Sequence, residues 1–186
     1  LSGAKVGVRA PTPDDLMDRA VAVATAADAV VLVVGTSLDW ETEGRDRESM
    51  DLPGDQPELI RRVCAANERT VVVVNSGSVV TSDWAEVAPA VLQIWFGGQE
   101  MADALVDVLF GDDEPSGRLP TTMPRRLEDT PAFLSYPGEN GRVVYSEGLF
   151  TGYRWYEARR LPVAFPFGHG LGYTTFRWGE PSLDEI

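Results

Sequence analysis

The sequence predicts an α/β protein, a three-layer sandwich with a mostly parallel sheet between helices, and three observations carry that prediction. Apolar runs rich in β-branched residues alternate with stretches of helical apolar spacing. The strand candidates contain no alternating polar residues, which suits strands covered on both faces. Helix-start and helix-stop residues separate the segments, so consecutive elements can be neighbours joined by right-handed crossovers.

The elements follow in order. Thr12-Pro13-Asp14-Asp15 opens a helix with Thr as N-cap, Pro at the first helical position and acids in the first turn. Leu16, Met17, Ala20, Val21, Ala24 and Ala27 then recur at i, i+3 and i+4, leaving Asp18, Arg19 and Thr25 to water, and the helix is predicted over 13–27. Ala29 to Gly35 reads as a buried strand. Asp55-Gln56-Pro57-Glu58 starts a second helix with an Asp cap and a Glu three residues on; its stripe is Leu59, Ile60, Val63 and Cys64, which makes Cys64 a buried thiol. Thr70 to Asn75 and Ala90 to Phe96 are the second and third strands. Gly97-Gly98-Gln99-Glu100 leads into a helix lined by Met101, Leu105, Val108 and Leu109 and ended by Gly111.

From Pro131 the texture changes. The remaining residues hold 12 of the 17 aromatics, broken by Gly and Pro, with no long periodic helix. This segment is expected to be irregular, to wrap the sheet, and to pack by Phe150, Tyr153, Trp155, Tyr156, Phe165, Phe167, Tyr173 and Phe176.

Composition bounds the function. A chain of 186 residues is one domain, or one domain with a tail, and 44% hydrophobic with 24% charged residues places it among chains that fold around a core. The net charge of −13 repels a phosphate backbone or an anionic membrane, so neither nucleic acid nor membrane is expected as a partner. No apolar stretch reaches the ~18 residues of a membrane span, and no basic-then-apolar leader pattern opens the chain. Because the first residue is Leu1 and not Met, upstream residues are expected to have been removed, which leaves both a cytoplasmic and a secreted origin open. Cys64 is the single cysteine and His169 the single histidine, so no internal disulfide, zinc site or other metal site is expected, and no cofactor.

In open parallel sheets ligands bind beyond the carboxyl ends of the strands, which points to the loop after Gly35. Residues 36–58 carry Asp39, Glu41, Glu43, Asp46, Glu48, Asp51, Asp55 and Glu58 against Arg45 and Arg47. Crowded carboxylates raise one another's pKa, and a Glu so raised can serve as a general acid near neutral pH. Glu43, followed by the flexible Gly44, is the best placed. On spacing alone a solvated acidic surface is the favoured reading. Three rivals fail on residue identity. Asp39, Glu41, Glu43 and Gly44 match the start of a calcium loop, but Met50 stands where its bidentate Glu is needed. Gly35-Thr36-Ser37-Leu38 lacks the further glycines of a dinucleotide turn, and no phosphate loop occurs. Asn75-Ser76-Gly77-Ser78 does not match the serine-hydrolase elbow.

Seven segments together resemble the C-terminal α/β-sandwich domain of glycoside hydrolase family 3, the retaining β-glucosidases and their relatives. They are Trp40 to Arg47 (WETEGRDR), Asp51-Leu52-Pro53-Gly54, Val72 to Gly77, Gly98-Gln99-Glu100, Gly111 to Pro120 with Gly152 to Tyr156, and Phe165 to Phe176. The resemblance implies a retaining β-glycosidase that hydrolyses terminal β-glucosyl residues by double displacement. In that family an Asp nucleophile lies in an N-terminal (β/α)-barrel, within a Ser-Asp-Trp stretch, and the acid/base Glu of the E-G-x-D-R loop belongs to the sandwich domain. By this match Glu43 is the acid/base, Asp46 and Arg47 order its loop, and Trp40 stacks against a sugar or packs the loop. The implied partners are a β-glucoside substrate and the barrel, and the implied layout is a partial sandwich domain over 1–176 with 177–186 leading towards a fibronectin type III-like domain. Leu1 to Val8 resembles a chain returning from a protective-antigen-like insert.

Ser82-Asp83-Trp84 spells the nucleophile stretch in the wrong domain, so Asp83 is expected to face solvent or cap a short helix, with Trp84 structural. Glu147, in a second Glu-Gly pair, and His169, among glycines and aromatics, are expected to be structural. A barrel of ~250 residues cannot fit this chain, and a sandwich without its first strands is expected to expose an apolar edge and to dimerise or aggregate. The competing reading is a noncatalytic α/β module that binds carbohydrate or a partner protein; a Glu43 buried in a salt bridge and facing no cleft would favour it.

Overall fold

The computed structural model describes residues 15–183. Helix α1 runs Leu16–Ala26 with Asp15 at its N-cap, so the proposed cap Thr12 and first-turn Pro13 lie outside the described residues. Ala24 is its buried residue, and its C-terminal carbonyls are satisfied from the next layer: Asn67 Nδ2 donates to Ala24 O at 2.9 Å and to Ala27 O at 2.8 Å. α1 lies against α2 (Gln56–Ala66), where Arg62 Nη2 also meets Asp18 at 2.6 Å.

Strands β1 (Val30–Gly35), β2 (Thr70–Asn75) and β3 (Ala90–Gln93) form a parallel sheet in the order β1-β2-β3, with Val30 opposite Thr70, Gly35 opposite Asn75, and Val71 opposite Ala90. The parallel sheet flanked by helices is the architecture predicted from the alternation. The double burial expected of every strand holds for central β2, where Val72, Val73 and Val74 are sealed, and fails at β1, whose Val31 and Val33 are 52% and 58% exposed. A β-branched run records what a strand can pack against, not whether both faces are covered. The third strand stops at Gln93 instead of Phe96: Ile94 N still donates to Val74 O, but Trp95 takes φ 54° and turns the chain out of the sheet.

The core sits on one sheet face. Val34, Leu52, Ile60, Cys64, Val72, Val74, Val80 and Trp84 make one cluster, each large apolar side chain worth about 1.5–3 kcal/mol when fully withdrawn from water. Cys64 is buried there, and burial pushes its thiol pKa up. Trp84 belongs to a 3-10 turn at Asp83–Glu86, and its Nε1 donates to Thr81 O at 3.0 Å. Gly35 ends β1 because a Cβ there would collide with Asn75 O; only glycine lets the two strand ends approach so closely.

Helix α3 (Met101–Phe110) is stopped by Gly111 and has no buried residue. Its stripe of Met101, Leu105 and Val108 lines a cavity of about 770 Å³ against β3. Beyond it, β4 (Met123–Pro124) pairs antiparallel with β5 (Val163–Phe165), and a short helix α4 spans Tyr153–Arg159. The aromatic segment is irregular as expected, but its aromatics do not pack as expected. Tyr156 alone of the eight is buried; Tyr153, Trp155 and Phe165 are half-buried, while Phe150, Phe167, Tyr173 and Phe176 are exposed. The segment is tied by polar contacts to residues 114–122: Leu119 N donates to His169 O, Gly168 N to Leu119 O, and Thr174 N and Oγ1 to the Glu114 carboxylate at 2.8 and 2.6 Å.

Candidate functional site

All three parallel strands point their carboxyl ends the same way, and the loops leaving β1 and β2 meet there. Gln56 fixes the start of the first loop, its Oε1 accepting from Gly35 N at 2.7 Å and its Nε2 donating to Gly35 O at 2.9 Å and Pro53 O at 3.1 Å. Thr36 N donates to Asn75 O, and Thr81 N donates to Met50 O, so both ends of residues 36–50 are bonded to the β2 side. Leu52, 3% exposed, carries the loop's exit into the core.

Between these ends the chain makes a small hairpin. Trp40 N and Glu41 N both donate to Ser37 O, and a bridge between Thr42 and Arg45 leaves Glu43 and Gly44 at the tip. Glu43 is exposed and makes no side-chain hydrogen bond or ion pair among the described residues. Arg45 Nη2 donates to Asp39 O at 2.7 Å across the base of the turn.

Arg47 holds the far side of the hairpin. Its Nη1 donates to Ser78 Oγ at 2.7 Å and Val79 O at 3.2 Å, its Nε donates to Ser49 O at 3.2 Å, and its Nη1 lies 3.7 Å from Glu41 Oε1. Asp46 is exposed and accepts a hydrogen bond from the Tyr136 hydroxyl, which with the carboxylate charge holds the Tyr136 pKa above its ordinary value. Trp40 is half-buried. Its Nε1, Arg47 Nη2 and Asn75 Oδ1 are buried atoms without a hydrogen-bond partner among the described residues, and all three belong to this end of the sheet.

In the sequence Glu41 is one acid among eight, a position of the excluded calcium loop and part of the Trp40–Arg47 segment, with nothing to mark it as an anchor. In the structure it is the only one of those eight carboxylates that is not exposed. Its Oε1 accepts from Thr36 Oγ1 at 2.6 Å and from Gly77 N at 3.2 Å. Gln56 and Gly77 were likewise not singled out, because their partners are 21 and 36 residues away in the chain.

The other flagged residues lie elsewhere. Asp83 is exposed, opens the 3-10 turn and pairs with Arg61 at 2.5 Å. His169 packs against Phe165 with ring centroids 5.2 Å apart. Glu147 sits in a turn whose carbonyl accepts from Phe150 N. Among the described residues no three His, Cys, Asp or Glu side chains converge as a ligand set, and no helix is long and apolar enough to cross a membrane.

A family model described as the glycosyl hydrolase family 3 C-terminal domain matches residues 4–173. A probable beta-glucosidase I of Emericella nidulans is 49% identical over 168 residues, covering 90% of this chain and 20% of that protein. A beta-glucosidase of Rhizobium radiobacter is 47% identical over 183 residues, 96% of this chain and 22% of its own length. The crystal structure of a beta-glucosidase from Kluyveromyces marxianus in complex with glucose superimposes with TM-score 0.86 at 48% identity, over 90% of this chain and 20% of that one. A Bifidobacterium adolescentis GH3 beta-glucosidase gives TM-score 0.84 at 43% identity, over 89% of this chain and 25% of that one. The chain thus spans about a fifth to a quarter of the relatives it matches.

Proposed function

The chain belongs to the glycosyl hydrolase family 3 C-terminal domain family, and on that premise we propose that it supplies the general acid/base of a retaining β-glycosidase. Glu43 is the acid/base, and the nucleophilic Asp lies in an N-terminal barrel outside this chain. In the first step the nucleophile's carboxylate oxygen bonds to the sugar C1 as the C1–O bond to the aglycone breaks, and Glu43 gives its proton to the departing oxygen. In the second, Glu43 takes a proton from water as the water oxygen bonds to C1 and the sugar–carboxylate bond breaks, restoring both residues. Trp40 offers a sugar-stacking face beside the loop, Arg47 and Asp46 order it, and the sugar class is a terminal β-glucoside. No cofactor enters either step.

The observation that carries the reading is the position of Glu43 at the tip of a hairpin anchored on both sides, with its carboxyl group free to meet something outside the chain. A buried, salt-bridged Glu43 would favour the noncatalytic alternative, and Glu43 is exposed at the hairpin tip. Val31 and Val33, exposed on edge strand β1, support self-association of the chain when prepared by itself.

The test uses the full-length enzyme that contains this chain. Glu43→Ala should lower turnover of an activated aryl β-glucoside by about 10²–10⁴-fold, the usual worth of a positioned acid/base, and azide should restore much of it while yielding the glycosyl azide. Unchanged turnover without azide would remove Glu43 from the role. The chain alone, lacking the nucleophile, should hydrolyse nothing.

A further inference from the structure

Glu41 differs from every other carboxylate of residues 36–58 in being withdrawn from water, with its side chain 15% exposed. It joins two loops that start from different strands. Its Oε1 is held by Thr36 Oγ1 on the β1 side and Gly77 N on the β2 side, and Arg47 Nη1 stands 3.7 Å away. Space has been cleared for it: a Cβ on residue 77 would lie 2.5 Å from Glu41 Oε2 and 2.7 Å from a ring carbon of Phe96.

The hairpin bearing Glu43 therefore hangs between two side-chain anchors, Glu41 before it and Arg47 after it, both tied to residues 77–79. Glu41 is two residues from Glu43, so at ~3.3–3.6 Å per residue the two backbones are within about 7 Å and a shift at one reaches the other. An acid/base must be held to about 0.5 Å to work at full rate.

We propose that Glu41 is a positioning residue for Glu43, fixing the hairpin against the β2 loop so that the acid/base carboxyl keeps one position relative to the glycosidic oxygen. The inference rests on the acid/base reading of Glu43, and the two can fail separately. Glu41 acts through the hairpin, its Oε1 being held by donors from within the fold.

A double-mutant cycle in the full-length enzyme tests it, with an activated aryl β-glucoside as substrate and azide as external nucleophile. Glu41→Ala should lower kcat by about 10–100-fold, the scale of a misplacement near 1 Å, and azide should accelerate the variant as it does Glu43→Ala. In the Glu43→Ala background the same substitution should change kcat by less than about two-fold, because the group it positions is gone. Glu41→Gln keeps an acceptor for Thr36 and Gly77 and should stay within about three-fold of the parent. An equal loss in both backgrounds, or a Glu41→Ala enzyme indifferent to azide, would overturn the proposal while leaving Glu43 in its role. A Glu43→Ala enzyme with full turnover would instead fail the prior reading. Should Glu41→Ala not fold, Thr36→Val removes one of the donors at nearly constant volume, and the same cycle run with it supports or overturns the proposal on the same two results.

Discussion

The loop at 36–55 and the aromatic segment from residue 131 reverse what their compositions suggest. The first is crowded with acids and has the texture of solvated surface, yet Leu52 enters the core and Glu41, Arg47 and Gln56 pin the loop to both strand ends. The second holds most of the chain's aromatics and has the texture of a core, yet Phe150, Phe167, Tyr173 and Phe176 face out and its ties to residues 114–122 are hydrogen bonds. Burial depends on what the fold places opposite a side chain. A few well-placed polar contacts order a loop that its charge count would release.

The sharpest way to break this contrast is to truncate one apolar side chain in each region. Leu52→Ala should destabilise the protein by about 2–5 kcal/mol in denaturant unfolding, because it opens a cavity under the acidic loop. Phe176→Ala, at a side chain 73% exposed, should stay within about 0.5 kcal/mol. Comparable losses would mean that the aromatic segment is packed as its composition suggests.

A smaller effect separates the two regions by pH. The hydrogen bonds from the Thr174 hydroxyl and amide hold the Glu114 carboxyl below its ordinary pKa. A depressed carboxylate contributes stability above its unfolded-state pKa and loses it as pH falls through the folded one. Amide hydrogen exchange at Thr174, corrected for its intrinsic pH dependence, should therefore quicken as pH drops below the ordinary glutamate range. Glu114→Gln should remove that dependence and leave exchange at Gly77 untouched.

The smallest expected effect is spectroscopic. Tyr136 donates to Asp46, and the carboxylate beside it raises the phenol's pKa. A raised folded value contributes stability below the unfolded-state pKa and loses it as pH climbs through the folded one, so the tie between Tyr136 and the acidic loop should release only in alkali. Asp46→Asn should bring the phenolate absorbance of Tyr136 in at lower pH; an unmoved titration would separate this tyrosine from the loop.

Much of the frame was legible because it rests on local rules. Helical spacing placed α1 and α2, continuous β-branched runs placed β1 and β2, and the parallel arrangement directed attention to the loop carrying Glu43. The end of β3 was not legible, since nothing in Ile94-Trp95-Phe96 announces the positive φ at Trp95. Nor was Glu41, whose identity as an anchor depends on an amide 36 residues away. The aromatic segment misled because side-chain type measures how much apolar surface is available, not whether a second surface meets it.

The contact between Gly35 and Asn75 makes the roots of both loops one joint. A single methyl group at residue 35 would act as a wedge there, prising apart two tips that never touch it and tilting Glu43 by leverage alone. The tolerance of this machinery is thus set by a spot with no side chain, where the absence of one carbon keeps two walls parallel.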